Sequence, residues 1–107
     1  MSHTTDTLRV VLDTDIWLDL SVVYADRKDF EAGFAVLQEG IQHHESHADF
    51  YFGMAYYLFM MGKSQQATET MLKALGMDKE GHVRLFSTFP DAMNNAEITA
   101  LIASYGK

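Results

Sequence analysis

One internal correspondence constrains this chain more than anything else in it. The octet WLDLSVVY, residues 17–24, aligns without a gap on YFGMAYYL, residues 51–58, at a separation of 34 residues. Trp17 pairs with Tyr51, Leu20 with Met54, Ser21 with Ala55 and Tyr24 with Leu58. The register continues through the next segment, where Gly33 pairs with Ala67, Leu37 with Met71, Gly40 with Ala74 and Ile41 with Leu75. Large stands on large and small on small. Small residues let helices approach closely, and large ones fill the gaps that remain.

Helical periodicity runs from Thr14 onward, and strand signals are nearly absent after Leu12. Thr14 is the expected cap of the first segment, with Asp15 in its first turn. Its apolar positions Ile16, Leu20, Val23 and Tyr24 recur at helical spacing. The second segment presents Phe30, Phe34, Leu37 and Ile41 on one face. Gly62 closes the third. Ser64 is expected to cap the fourth, whose regular part ends near Gly76. A short amphipathic piece, HVRLFSTF, is broken by Pro90, the only proline. Asn94 or Asn95 caps the last segment, with Ile98, Leu101, Ile102 and Tyr105 inward and Gly106 at its stop. Helices joined by short turns give an all-α fold.

A 34-residue period with two helices per unit resembles the tetratricopeptide-repeat (TPR) family. WLDLSVVY keeps Trp17, Leu20 and Tyr24 of the family's first-helix pattern, with Ser21 where glycine is usual. Gly33 and Leu37 take the second-helix slots, as do Ala67 and Met71 in the second unit. Departures are Glu45 and Lys79 at the positions usual for proline, and Tyr51 in place of tryptophan. The resemblance implies a TPR-like stack of two helical hairpins, residues 14–47 and 48–81, with a C-terminal capping region at 82–107. An N-terminal arm, residues 1–13, is left open among strand, helix extension and disorder. A single hairpin cannot bury its apolar face, so stacking is obligatory.

Composition narrows the function. The net charge is −7, and the eight Lys and Arg are scattered. Nucleic-acid binders concentrate basic residues to displace counterions from phosphates, so neither nucleic acid nor membrane is expected as a partner. No apolar run is long enough to span a bilayer. The absence of cysteine and of a signal-like start fits a cytoplasmic protein.

Two stretches carry candidate chemistry. RVVLDTDIWLDL resembles the opening of PIN-domain nucleases, with Asp13 as first metal-binding carboxylate. That chemistry needs a parallel sheet and further converging carboxylates, and no later strand supplies them. It stays a remote alternative beside Asp13 and Asp15 as helix-start acids. HHESH places His43 and His47 four apart, but at the expected turn between repeats, so a polar turn is the expectation. No catalytic residue, metal site or cofactor is expected, and the chain is read as a non-enzyme.

The third segment is the informative one. FYFGMAYYLFMM has almost no polar face, which a surface helix needs. The repeat accounts for Tyr51, Met54, Ala55 and Leu58, but not for Phe52, Tyr56, Phe59 and Met60. In TPR proteins the corresponding face lines a concave groove, to which the first repeat would add Asp15, Leu18, Val22 and Asp26, and the second Asp49. The expectation is an aromatic, acid-rimmed groove for a protein or peptide with basic side chains, in an adaptor or small chaperone. The alternatives are cover within the chain, or a structural homodimer that uses the face as its own interface.

Overall fold

A computed structural model describes residues 14–105. The expected N-terminal arm, with Asp13, lies outside the described residues, as does Gly106. In chain order the elements are α1 (Thr14–Asp26), α2 (Phe30–His43), α3 (Ala48–Met60), α4 (Ser64–Met77), a 3-10 turn (Lys79–Gly81), α5 (His82–Thr88), a second 3-10 turn (Pro90–Asn94) and α6 (Ala96–Ser104). The described residues contain no strand, so the sheet that the nuclease reading requires is not found among them. No described helix is long and apolar enough to cross a membrane.

Helix boundaries follow the 34-residue period. Thr14 and Ala48 open α1 and α3, and Asp26 and Met60 close them; Phe30 and Ser64, then His43 and Met77, bound α2 and α4 in the same register. The turns repeat as well. After α1, the Asp29 N–H bonds to the Tyr24 carbonyl at 2.9 Å and the Lys28 N–H to Ala25 at 3.0 Å. After α3, the Lys63 N–H bonds to Leu58 at 2.9 Å and the Gly62 N–H to Phe59 at 3.0 Å. Both are Schellman stops, which place one residue in the left-handed region. That residue is Lys28 (φ 61°) in the first unit and Gly62 (φ 78°) in the second.

Each helix of the two hairpins packs on the next, and α3 also meets α5, α6 and the first 3-10 turn. This central position explains the missing polar face of α3: nine of its residues are buried, and a helix apolar all round belongs inside. Close approach is made by small residues. Gly33 lies under the Tyr57 ring, and Gly40 under Trp17 and Phe50. The Tyr57 hydroxyl donates to the Ser21 carbonyl at 2.5 Å, tying α3 to α1.

Three local expectations are corrected. Leu20 was expected in the core beside Trp17 but is 45% exposed, because no described helix precedes α1. Ser64 is the first helical residue of α4; the cap position is Lys63, which makes no side-chain bond. The C-terminal region is more than a capping helix. His82 opens α5 34 residues after Ala48 opens α3, so α5 takes up the register of a third first-helix. Pro90 cannot donate in a helix interior, and the chain passes through a 3-10 turn into α6. There Asn95 caps by accepting the Ile98 N–H at 3.0 Å.

Candidate functional site

The three first-position helices leave a cleft. Its floor is Phe52 and Tyr56 of α3. One wall is α1, with Leu18, Val22, Ala25 and Asp26; the other is α5 and the turn after it, with Leu85, Thr88, Phe89, Pro90 and Asp91. The two ends share Thr88 and Phe89. The narrow end, at Leu18 and Phe52, encloses about 10 Å³, close to the space of one water. The wide end, from Val22 and Asp26 across Tyr56 to Asp91, holds about 250 Å³. That is below the usual size of small-molecule sites, about 300–1,000 Å³, and suits one large side chain.

The two ends differ in charge. At the narrow end Arg84 of α5 donates from Nε to both oxygens of Asp49, at 2.9 and 3.0 Å, and from Nη2 to Asp78. The Arg84 bond holds the Asp78 carboxyl below the ordinary carboxylate range. This network fastens α5 across the start of α3. At the wide end, Asp26 and Asp91 form no ion pair among the described residues, and Lys28 lies beside them. Tyr56 reports their field: burial raises its pKa, and the charges of Asp91 and then Asp26 raise it further. Burial disfavours charge of either sign, whereas the contributions of Asp91 and Asp26 mark the wide end as acidic.

The expected site residues divide accordingly. Val22, Asp26 and Tyr56 meet at the wide end, and Leu18, Asp49 and Phe52 at the narrow end. Asp15 is exposed, Phe59 buried and Met60 half-buried, and none of the three lines either end. Phe52, Tyr56 and Phe59, expected to line the groove, are at most 5% exposed. The Phe52 ring packs over Gly81. Tyr56 stacks on Phe89, with centroids 4.6 Å apart and planes at 22°. Gly81 and Phe89 thus cover Phe52 and Tyr56 within the chain. Asp49 was expected to greet a basic partner, but Arg84 already occupies it.

Arg84, Thr88, Phe89, Pro90 and Asp91 were missed by sequence reasoning. The signal was present: the 34-residue period continues past residue 81, where Leu85 stands in line with Trp17 and Tyr51. The histidines serve packing and capping. His43 stacks on Trp17 at 5.7 Å, and His44 and His47 lie against Phe50. The Asp49 N–H bonds to Nδ1 of His47, the cap of α3, at 3.4 Å.

The class that this geometry defines is an all-α stack of helical hairpins with a cleft along its first-position helices. Compared with protein-family models, curated proteins and solved structures, the chain finds no match.

Proposed function

We propose that this protein is a non-catalytic protein–protein interaction module, an adaptor or small chaperone of TPR type. It takes a peptide or helix whose basic side chain enters the wide end of the cleft. The observation that carries this reading is the pairing of two carboxylates, Asp26 and Asp91, with an aromatic floor of Tyr56 and Phe89 in one cavity. Aromatic faces and carboxylates together suit a guanidinium or ammonium group. The net charge of −7 favours a basic partner and disfavours nucleic acid. A cysteine-free chain fits a cytoplasmic setting. The 34-residue sequence pattern supports the TPR assignment.

The test is an NMR titration with two helical peptides that differ only in one Arg or Glu at the centre. The Arg peptide is expected to shift the resonances of Val22, Ala25, Thr88 and Phe89, and the Glu peptide to leave them in place. Asp26 and Asp91 are exposed, so Asp26→Lys with Asp91→Lys leaves the fold intact. Two exposed charge contacts at up to about 1 kcal/mol each correspond to a loss of affinity of up to roughly thirtyfold. Equal binding of both peptides, or unchanged binding by the double variant, defeats the proposal.

A further inference from the structure

Three tyrosines stand on α3, and their hydroxyls end differently. Tyr51 donates to the Glu45 carbonyl at 3.1 Å and Tyr57 to the Ser21 carbonyl at 2.5 Å. The Tyr56 hydroxyl has no hydrogen-bond partner among the described residues. Yet Tyr56 is only 2% exposed, with its ring stacked on Phe89. The hydroxyl oxygen itself is not sealed in, and the wide end of the cleft is the cavity that Tyr56 lines. Buried polar groups are nearly always paired, so one left open at the floor of a cavity calls for a reason. Packing does not supply it. The register equivalents of Tyr56, 34 residues to either side, are Val22 and Pro90. Both line the same cavity, and neither has a polar side chain. A phenylalanine would fill the place as well.

The hydroxyl is therefore a polar point that can be met from the cavity, by water when the cleft is empty and by a ligand when it is filled. Asp26 and Asp91 line the same cavity from its two walls, and the charges of both act on Tyr56. An ionised carboxylate only accepts hydrogen bonds, and a phenol oxygen can accept one as well. Acceptors of this kind around one cavity call for a cation that brings N–H donors: a lysine ammonium has three and an arginine guanidinium five. A trimethylated lysine keeps its charge and loses every donor. A cage for such a cation sets aromatic rings around it, whereas Tyr56 and Phe89 are stacked on each other. We propose that the Tyr56 hydroxyl is the recognition point of the wide end, selecting a lysine or arginine side chain with its N–H donors intact over a methylated one. This rests on the peptide-binding reading of the cleft and adds its regulation: methylation of the partner's cation releases it.

Isothermal titration calorimetry of the full chain, as wild type and as Tyr56→Phe, tests this with helical peptides of one sequence that carry Arg, Lys or trimethyl-Lys at the centre. The variant keeps the ring and removes an atom that no described residue bonds, so its thermal midpoint is expected not to fall. Wild type is expected to bind the Lys peptide about tenfold more tightly than the trimethyl-Lys peptide. Tyr56→Phe is expected to weaken the Arg or the Lys peptide about tenfold, the larger loss identifying the cation the site is built for. It is expected to leave the trimethyl-Lys peptide unchanged, because that ligand never donated to the hydroxyl. This difference between ligands is the readout that a merely structural role would not give, since a distorted cleft weakens all three alike. Equal binding of Lys and trimethyl-Lys by wild type overturns the proposal. So does a Tyr56→Phe chain that binds Arg and Lys as wild type does, or that loses all three peptides equally. In each of those cases the cleft still binds its peptide and that reading stands. A wild-type chain that binds none of the three defeats the cleft reading and this proposal with it.

Discussion

Lys28 and Gly62 occupy the same place in the two units, one turn past the first helix, and both have positive φ. A side chain there costs about 1–2 kcal/mol, because Cβ crowds the following carbonyl. Glycine pays part of that back as unfolded-chain entropy. Lys28→Gly is therefore expected to raise stability by about 1 kcal/mol, and Gly62→Ala to lower it by about 1 kcal/mol. A Cβ on Gly62 would meet nothing within 4 Å, so its cost is conformational alone; urea midpoints measure both. Lys28 also lines the wide end of the cleft, so the same Lys28→Gly chain is expected to bind the Arg peptide more tightly. Gly62 was legible in the sequence as a helix stop. Lys28 was not, because lysine carries no turn signal; only the 34-residue alignment with Gly62 points to it.

At the scale of the element, α3 is held by one residue more than by any other. Tyr57 is fully buried, its ring lies over Gly33 of α2, and its hydroxyl reaches Ser21 of α1. Tyr57→Phe leaves the Ser21 carbonyl without that donor and is expected to cost about 1–2 kcal/mol. Gly33→Ala drives a methyl into the ring and is expected to cost about 1–3 kcal/mol. Burial, the largest influence, pushes the Tyr57 hydroxyl up to about 12 from an unfolded value of 10.0. A raised value means that the neutral phenol is what the fold holds. Its contribution is complete below pH 10.0 and is lost as the pH climbs from there towards about 12. Urea unfolding across that window is expected to show wild type losing stability, with a shallower loss in Tyr57→Phe. Sequence reasoning flagged α3 as the helix without a polar face, and left open whether a partner, a second copy or the chain itself covers it. Periodicity reports which side chains avoid water, not which neighbour removes it.

For the whole molecule the decisive part is the C-terminal third. Phe89 is 3% exposed, stacks on Tyr56 and meets the edge of Tyr57 at 5.4 Å. It both seals the core and walls the cleft. Phe89→Ala is expected to cost about 3–5 kcal/mol and to remove an aromatic wall of the wide end, so the Arg peptide binds more weakly. Calorimetry and the same peptide titration check the two effects. Two repeats alone would leave Phe52 and Tyr56 without the cover of Gly81 and Phe89. The truncated third register, fastened by Arg84 to Asp49 and Asp78, turns a broad apolar groove into a narrow cleft with one open acidic end.

The sequence by itself determined the helical class, the 34-residue period, the helix boundaries of both hairpins and the small residues at their contacts. These follow from local spacing, and spacing is written along the chain. Tertiary structure alone decided which apolar residues are reachable. Phe52, Tyr56 and Phe59 lie inside and Leu20 and Val23 outside, although all five read alike as apolar helix positions. Burial depends on whether another helix arrives to pack, and that is set by segments far away in sequence, such as Phe89 over Tyr56.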